Sequence, residues 1–369
     1  MTHMSTKIKK IGVLTSGGDC AGLNAAIRAV AYRGIVGYGW DVYGIYEGTM
    51  GLMDRPPHVE KFTHKELVLQ NPDLLRMGGT FLGTVNKGDP FAYPMADGTK
   101  KDRSGEIVDG FRELGLDALV VIGGDGSMRI VNRLCQQGGI SMVGIPKTID
   151  NDVAGTEFAI GYMTALRKAV EAIDDLQPTA RSHRRVMVLE VMGRDAGHIA
   201  LNAGIAGGAD AILIPEIKYD MDKVAQKINN VIKMGRNHSI VVVSEAVQPK
   251  KGGSKIMQEM ADGEKRYGGV GNLIGAQIAE MTGAEVRVTN LGHIQRGGTP
   301  GAMDRQMATA FGVHAVDAIA AGRTGVMMAW QHRDIAEVSL DYVTSNYSSV
   351  DLNGAMVRTA RGMGIALGD

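Results

Sequence analysis

Short runs of consecutive apolar residues, each closed by glycine or a charged cluster and followed by a helical pattern, recur along most of this chain. Ile11–Thr15, Trp40–Tyr46, Ala118–Ile122, Met142–Ile145, Val186–Val191, Ala211–Ile214, Ile240–Glu245, Glu285–Asn290 and Val326–Trp330 read as strands. Apolar spacing between them predicts helices over Gly22–Val36, Ile107–Leu114, Met128–Gln136, Tyr162–Leu176, Ala196–Ile205, Met221–Met234, Asn272–Met281 and Met303–Ala320. Continuous rather than alternating apolar strands have both sheet faces covered. The expected fold is therefore α/β, with doubly wound, mostly parallel sheet. The rhythm repeats on both sides of residue 160, which predicts two lobes with a cleft between them. Leu67–Asp102 and Gln248–Tyr267 lack it and read as long loops, and the tail after Gln331 is weakly patterned.

Composition narrows the function. Forty basic residues balance forty acidic ones, so neither a nucleic acid nor an anionic membrane is the expected partner. Two cysteines, Cys20 and Cys135, fit a reducing compartment. The basic N-terminus has too short an apolar segment for a signal peptide, and no run is long enough to span a bilayer. A cytoplasmic protein is expected. Glycine is the outlier, 51 of 369 residues, nearly twice the usual share of about 7%. Many of these glycines fall in pairs just after the apolar runs, where backbone must approach something closely.

Two such pairs precede helices: Ser16-Gly17-Gly18-Asp19 and Gly123-Gly124-Asp125-Gly126-Ser127. Backbone N–H groups at turns of this kind hold phosphate. Neither has the lysine of a P-loop or the spacing of a dinucleotide fingerprint. Together, with Asp125 available to magnesium, they point to a polyphosphate site, although each alone is also an ordinary tight turn. Gly144–Asp152, GIPKTIDND, adds Lys147, Thr148, Asp150 and Asp152 after a strand that Pro146 is expected to stop. Met192-Gly193-Arg194, Glu245 and His293-Ile294-Gln295-Arg296 are further charged or polar strand ends. With Arg185 and Arg287 they suit a phosphorylated hydroxyl compound.

The segments TSGGD, GGTFLGT, VVIGGDGS, GIPKTIDND, EVMGR, AGGAD and LGHIQRGG, followed by PGAMDR, stand in the order and spacing of the phosphofructokinase family. The chain resembles that family from about Ile11 to Trp330. The resemblance implies transfer of a phosphoryl group from Mg-ATP to the 1-hydroxyl of fructose 6-phosphate. It implies Asp150 as the base, with Thr148, Asp152, Lys147 and Arg194 around the transferring group. Gly18, Lys87, Gly124, Asp125, Gly126 and Ser127 would take the donor, with Asp125 on Mg2+. Thr148, Ile149, Asp150, Arg185, Met192, Gly193, Arg194, Glu245, Arg287, His293, Ile294, Gln295 and Arg296 would take the sugar phosphate. Arg185 and Arg287 would reach a neighbouring subunit's site, implying a homodimer or homotetramer. Residues 1–160, rejoined by about 296–369, would form the donor lobe, and 161–295 the sugar-phosphate lobe.

Donor choice turns on two positions. Pyrophosphate-dependent members typically carry aspartate where this chain has Gly126, and lysine at Lys147, where common bacterial ATP users have glycine. An open volume at Gly126 favours ATP, since a blocking side chain excludes a ligand more firmly than an added ammonium does. Pyrophosphate is the alternative donor. A nicotinamide-dependent oxidoreductase, a lipid or NAD kinase and a non-catalytic sugar-phosphate sensor are the rival classes. They lack, respectively, the fingerprint spacing, a need for LGHIQRGG, and a reason to keep Asp125, Asp150, Asp152 and Arg194 together.

Overall fold

The computed structural model describes residues 8–65, 72–85, 88–251, 257–259 and 265–369. In chain order its strands are β1 (Lys10–Ser16), β2 (Asp41–Ile45), β3 (Val59–Lys61), β4 (Tyr93–Pro94), β5 (Lys100–Lys101), β6 (Ala118–Gly123), β7 (Ser141–Thr148) and β8 (Ile160–Gly161). There follow β9 (Val186–Val191), β10 (Ala211–Leu213), β11 (Ser239–Ser244), β12 (Met257–Glu259), β13 (Lys265–Tyr267), β14 (Val286–Asn290), β15 (Val326–Gln331) and β16 (Asp334–Ser339). The helices are α1 (Leu23–Tyr32), α2 (Ser104–Glu113), α3 (Asp125–Gly138), α4 (Tyr162–His183), α5 (His198–Ala206), α6 (Met221–Lys233), α7 (Val270–Thr282), α8 (Ala302–Ala320), α9 (Leu340–Ser345) and α10 (Ala355–Gly362).

The chain divides into two compact units. The first comprises Met1–Thr148, Asp152–Met163 and Arg296–Tyr347, and the second Ile149–Asn151, Thr164–Gln295 and Ser348–Asp369. In the first, the sheet order is β16-β15-β7-β6-β1-β2-β3, with β8 paired to β7. Within this sheet, among the described residues, only the β2–β3 and β15–β16 pairs are antiparallel. Strand β6 is buried at every residue, as a strand covered on both faces must be. Its side chains join a core with Leu14, Ile107, Met128, Leu134, Met327 and Leu340. The second unit has an all-parallel sheet, β10-β11-β9-β14, on a core that includes Val188, Leu213, Ile228, Val241 and Ile274.

Four expectations are corrected. Pro146 does not stop its strand: β7 runs through it to Thr148. On one side of β7 the ladder is broken there, since β15 pairs with Val143 and Gly144 while β8 pairs with Lys147 and Thr148, and a residue without an N–H is tolerated at such a gap. Helix α4 continues past Leu176 with Pro178 inside it, because the buried face of Ala169 and Ile173 extends to Ala180. Between Leu67 and Asp102, the described residues include the β4–β5 hairpin and short 3-10 turns at Pro72–Leu75 and Pro90–Ala92. Finally, Ser348–Asp369, expected with the first lobe, packs in the second unit. There Ala366 bridges Ala211, Val350 N donates to Glu216, and Leu367 is buried.

Candidate active site

In the first unit β1 and β6 run parallel in register from Ile11–Ala118 to Ser16–Gly123. The turns that follow them therefore leave side by side at the carboxyl edge of the sheet, where α/β folds bind ligands. After β1, Gly17 has φ 84°. A Cβ there would also lie 2.8 Å from Ser127 Oγ, and one on Gly18 would lie 2.6 Å from Arg296 Nη1. After β6, Gly124 caps α3 in an extended conformation, 3.1 Å (as a built Cβ) from the Lys147 carbonyl. Gly126 is exposed, and a Cβ on it meets nothing within 4 Å.

Asp125 is the first residue of α3, where the helix dipole favours an anion. Its carboxylate accepts from Arg129 Nη2 at 3.0 and 3.2 Å. Burial, and then the charge of Asp152, nevertheless push its pKa above the ordinary aspartate value, against the pull of Arg129. Asp152 is 8% exposed, and its buried Oδ1 has no hydrogen-bond partner among the described residues. A carboxylate whose charged form is disfavoured by burial and by its acidic neighbour, beside a second carboxylate with an unsatisfied buried oxygen, fits a hard divalent cation that keeps several of its waters. Among the described residues no group of three or more His, Cys, Asp or Glu forms an all-protein metal cage. Such a cage is unnecessary for magnesium, which keeps several waters.

Lys147 and Thr148 lie on β7 rather than in a loop. Lys147 is 3% exposed, and its Nζ donates to the Gly18 carbonyl. Arg296 also belongs to this unit, with Nη1 donating to the Asp19 carbonyl at 3.0 Å. It was expected with the sugar-phosphate residues, and the structure places it against the glycine turn after β1. Lys87 lies outside the described residues.

The second unit holds the remaining candidates. Strand β9 ends at Val191, and Gly193 (φ 148°) and Arg194 (φ 47°) turn the chain sharply. A Cβ on Gly193 would lie 2.7 Å from the Ala196 carbonyl. Glu245, just past β11, is 8% exposed and accepts from Gly193 N at 3.3 Å and Arg194 N at 3.0 Å. Burial raises its pKa, and the two N–H groups oppose the rise. Gln295 is 1% exposed and accepts from Met192 N at 2.8 Å, leaving its buried Nε2 without a partner among the described residues. The MGR turn is thus held by two acceptors from different segments. Asp150 is buried, with Oδ2 4.0 Å from Nε of the exposed Arg194, and Ile149 beside it is buried. His293 and Ile294 are exposed. Arg185 Nη2 and Arg287 Nη2 share Glu285 Oε1, at 2.8 and 2.5 Å. The Arg185 hydrogen bond holds that carboxyl below the usual range.

Sequence reasoning passed over several groups. Glu190, 2% exposed, accepts from Gly269 N, Gly271 N and Asn290 Nδ2 at 2.7–2.9 Å. Asp304, fully buried, accepts from Gly161 N at 2.9 Å. Thr84 donates to the Gly17 carbonyl at 2.6 Å. Each sits inside or beside a recognised segment, but a carboxylate's partners on distant backbone cannot be read from spacing.

Comparisons with known proteins cover nearly the whole chain. Residues 10–319 match the phosphofructokinase family. The chain is 56% identical over 363 residues to ATP-dependent 6-phosphofructokinase 1 of Synechocystis sp., covering 98% of this chain and 99% of that protein. It is 46% identical to the ATP-dependent 6-phosphofructokinase of Chloroflexus aurantiacus, covering 99% of each. Among solved structures, Pichia pastoris phosphofructokinase in the T-state superposes with TM-score 0.78 and 30% identity, covering 97% of this chain and 37% of that longer one. A pyrophosphate-dependent phosphofructokinase from Nitrosospira multiformis shares the fold, with TM-score 0.79, 21% identity, and coverage of 98% and 93%. By a family match over most of its length and by relatives alike from end to end, this chain belongs to the phosphofructokinase family.

Proposed function

We propose that the protein is an ATP-dependent 6-phosphofructokinase, transferring the γ-phosphoryl group of Mg-ATP to the 1-hydroxyl of D-fructose 6-phosphate, a glycolytic step. The observation that carries this reading is 56% identity, over essentially the full length of both chains, to a relative named for that activity. The open space at Gly126 supports ATP over pyrophosphate.

In this reading Asp150 accepts the proton of the sugar 1-hydroxyl as its oxygen bonds to the γ-phosphorus and the bond to the ADP oxygen breaks. Arg194, beside Asp150, neutralises charge on the transferring group. Gly18, Gly124, Asp125, Gly126 and Ser127 position the donor, and Thr148 and Asp152 flank the base. Magnesium, when bound, neutralises polyphosphate charge, and Asp125 and Asp152 are the residues to hold it. Ile149, Met192, Gly193, Glu245, His293, Ile294 and Gln295 hold the sugar. Arg185 and Arg287 serve a neighbouring subunit's 6-phosphate, which makes the working form a homo-oligomer. The exposed edge strand β14, which carries Arg287, is in keeping with this. No helix among the described residues is long and apolar enough to cross a membrane, and a cytoplasmic location suits the reaction. A coupled assay with ATP and pyrophosphate in turn tests the reading: turnover with pyrophosphate but not ATP would overturn it.

A further inference from the structure

Three successive carbonyls of the turn after β1 are each taken by a side chain from a different segment. Thr84 Oγ1 donates to the Gly17 carbonyl at 2.6 Å, Lys147 Nζ to the Gly18 carbonyl, and Arg296 Nη1 to the Asp19 carbonyl at 3.0 Å. All four segments lie in the first unit. In a trans peptide the C=O of one residue and the N–H of the next point in opposite directions. Fastening the carbonyls of residues 17–19 therefore turns the N–H groups of Gly18, Asp19 and Cys20 away from those donors. Backbone N–H groups at a glycine turn of this kind are the donors that an anion-binding concavity uses. Two of the three fasteners are cations, so the turn is also backed by positive charge.

We infer that Thr84, Lys147 and Arg296 form a clamp on the donor turn, and that Lys147 is a positioning residue for the polyphosphate. This rests on the reading that the turn receives the donor. The same arrangement resolves the mixed donor signature. An ammonium engaged by a backbone carbonyl and 3% exposed shapes the phosphate seat from behind, which a nucleotide uses as well as pyrophosphate does. The glycines obey the same geometry: a Cβ on Gly18 would lie 2.6 Å from Arg296 Nη1, and one on Gly17 would lie 3.4 Å from Lys147 Nζ.

The test is Mg-ATP binding by calorimetry on the full chain without sugar, together with KM for each substrate, in Lys147→Met, Lys147→Arg and Thr84→Val. A charged donor lost from a buried carbonyl should weaken Mg-ATP by about 10- to 100-fold in Lys147→Met, and a neutral one by about fivefold in Thr84→Val. KM for fructose 6-phosphate should stay within about twofold, and Lys147→Arg should recover most of the loss, since it restores a cationic donor. Unchanged Mg-ATP affinity in both Lys147→Met and Thr84→Val, or an equal rise in the KM for sugar, would overturn the clamp while leaving the phosphofructokinase reading intact. Wild-type protein that binds Mg-ATP in a Lys147-dependent way, yet does not phosphorylate fructose 6-phosphate, would overturn the functional reading and keep the clamp. Should Lys147→Met not fold, Thr84→Val, nearly isosteric, decides alone.

Discussion

Replacing Gly126 by aspartate probes donor choice with little structural disturbance. A Cβ at this position has no neighbour within 4 Å, so the side chain enters open space. The position is the second residue of α3. Removing a glycine from a helix is favourable by a few tenths of a kcal/mol up to about 1 kcal/mol, and an acid in the first turn adds about 0.3–1 kcal/mol. Repulsion from Asp125 offsets part of this, so the thermal midpoint should move by no more than about 4 °C. Binding should respond far more. A carboxylate about 4 Å from a phosphate charge is disfavoured by about 1 kcal/mol in bulk water and about 4 kcal/mol at a protein surface. That range is a factor of about 5 to 1,000 in ATP affinity, near the middle of it for an exposed helix start. The assay is KM and kcat for ATP, pyrophosphate and fructose 6-phosphate in turn. The expected result is a large rise in KM for ATP, with the sugar KM within about twofold. Equal loss of both substrates, or no loss of either, would mean that the turn after β6 does not receive the donor.

Other outcomes follow from the same geometry. Asp150→Asn should keep the fold and sugar binding while lowering kcat by about 10² to 10⁴, and near-normal turnover in steady-state kinetics would remove Asp150 as the base. Asp125 has a raised pKa because its charged form is disfavoured in the folded protein, so it favours folding at low pH and that contribution is lost as pH rises through its folded pKa. In the proposed site magnesium needs the carboxylate, so on acidification Mg-ATP affinity should begin to fall at a higher pH than an ordinary aspartate would give. Titration by calorimetry should lose this pH dependence in Asp125→Asn. Glu190→Gln should cost about 2–4 kcal/mol in denaturant unfolding, because three donors face a side chain with one acceptor fewer and an opposed N–H. A midpoint like wild type would show that these bonds hold nothing.

The strands were legible because buried parallel strands are continuous apolar runs, and Ala118–Ile122 and Val186–Val191 are nearly uninterrupted examples. The glycine turns were legible for a related reason: Gly17 needs positive φ, and Gly18 and Gly124 sit against other atoms. What escaped were features decided by long-range partners. Pro146 reads as a strand stop until the break in its ladder is seen. Ser348–Asp369 has little periodicity of its own, and its place follows from bonds to Ala211, Glu216 and His198. Arg296 follows Gln295 directly in a motif that resemblance assigns to one ligand. Yet Gln295 accepts from Met192 in the second unit while Arg296 donates to Asp19 in the first. Adjacent letters of one motif serve different neighbourhoods, and only coordinates separate them.

The stretch from Thr148 to Asp152 carries the same lesson further. Thr148 closes β7 in the first unit, Ile149–Asn151 belong to the second, and Asp152 returns to the first. Asn151 has φ 56°, a left-handed conformation that asparagine adopts more readily than most residues because its short amide bonds locally. Asp150 and Asp152 are separated by that one residue, so their Cα atoms lie within about 7 Å in any conformation. The proposed proton acceptor and the carboxylate proposed for the metal are therefore tied together covalently, one on either side of a turn that asparagine stabilises. Phosphoryl transfer asks the protein mainly to bring a base and a charge-neutralising centre to fixed positions around one oxygen. In the proposed mechanism the covalent tie limits how far the two carboxylates can separate, which makes IDND, rather than either aspartate by itself, the informative unit.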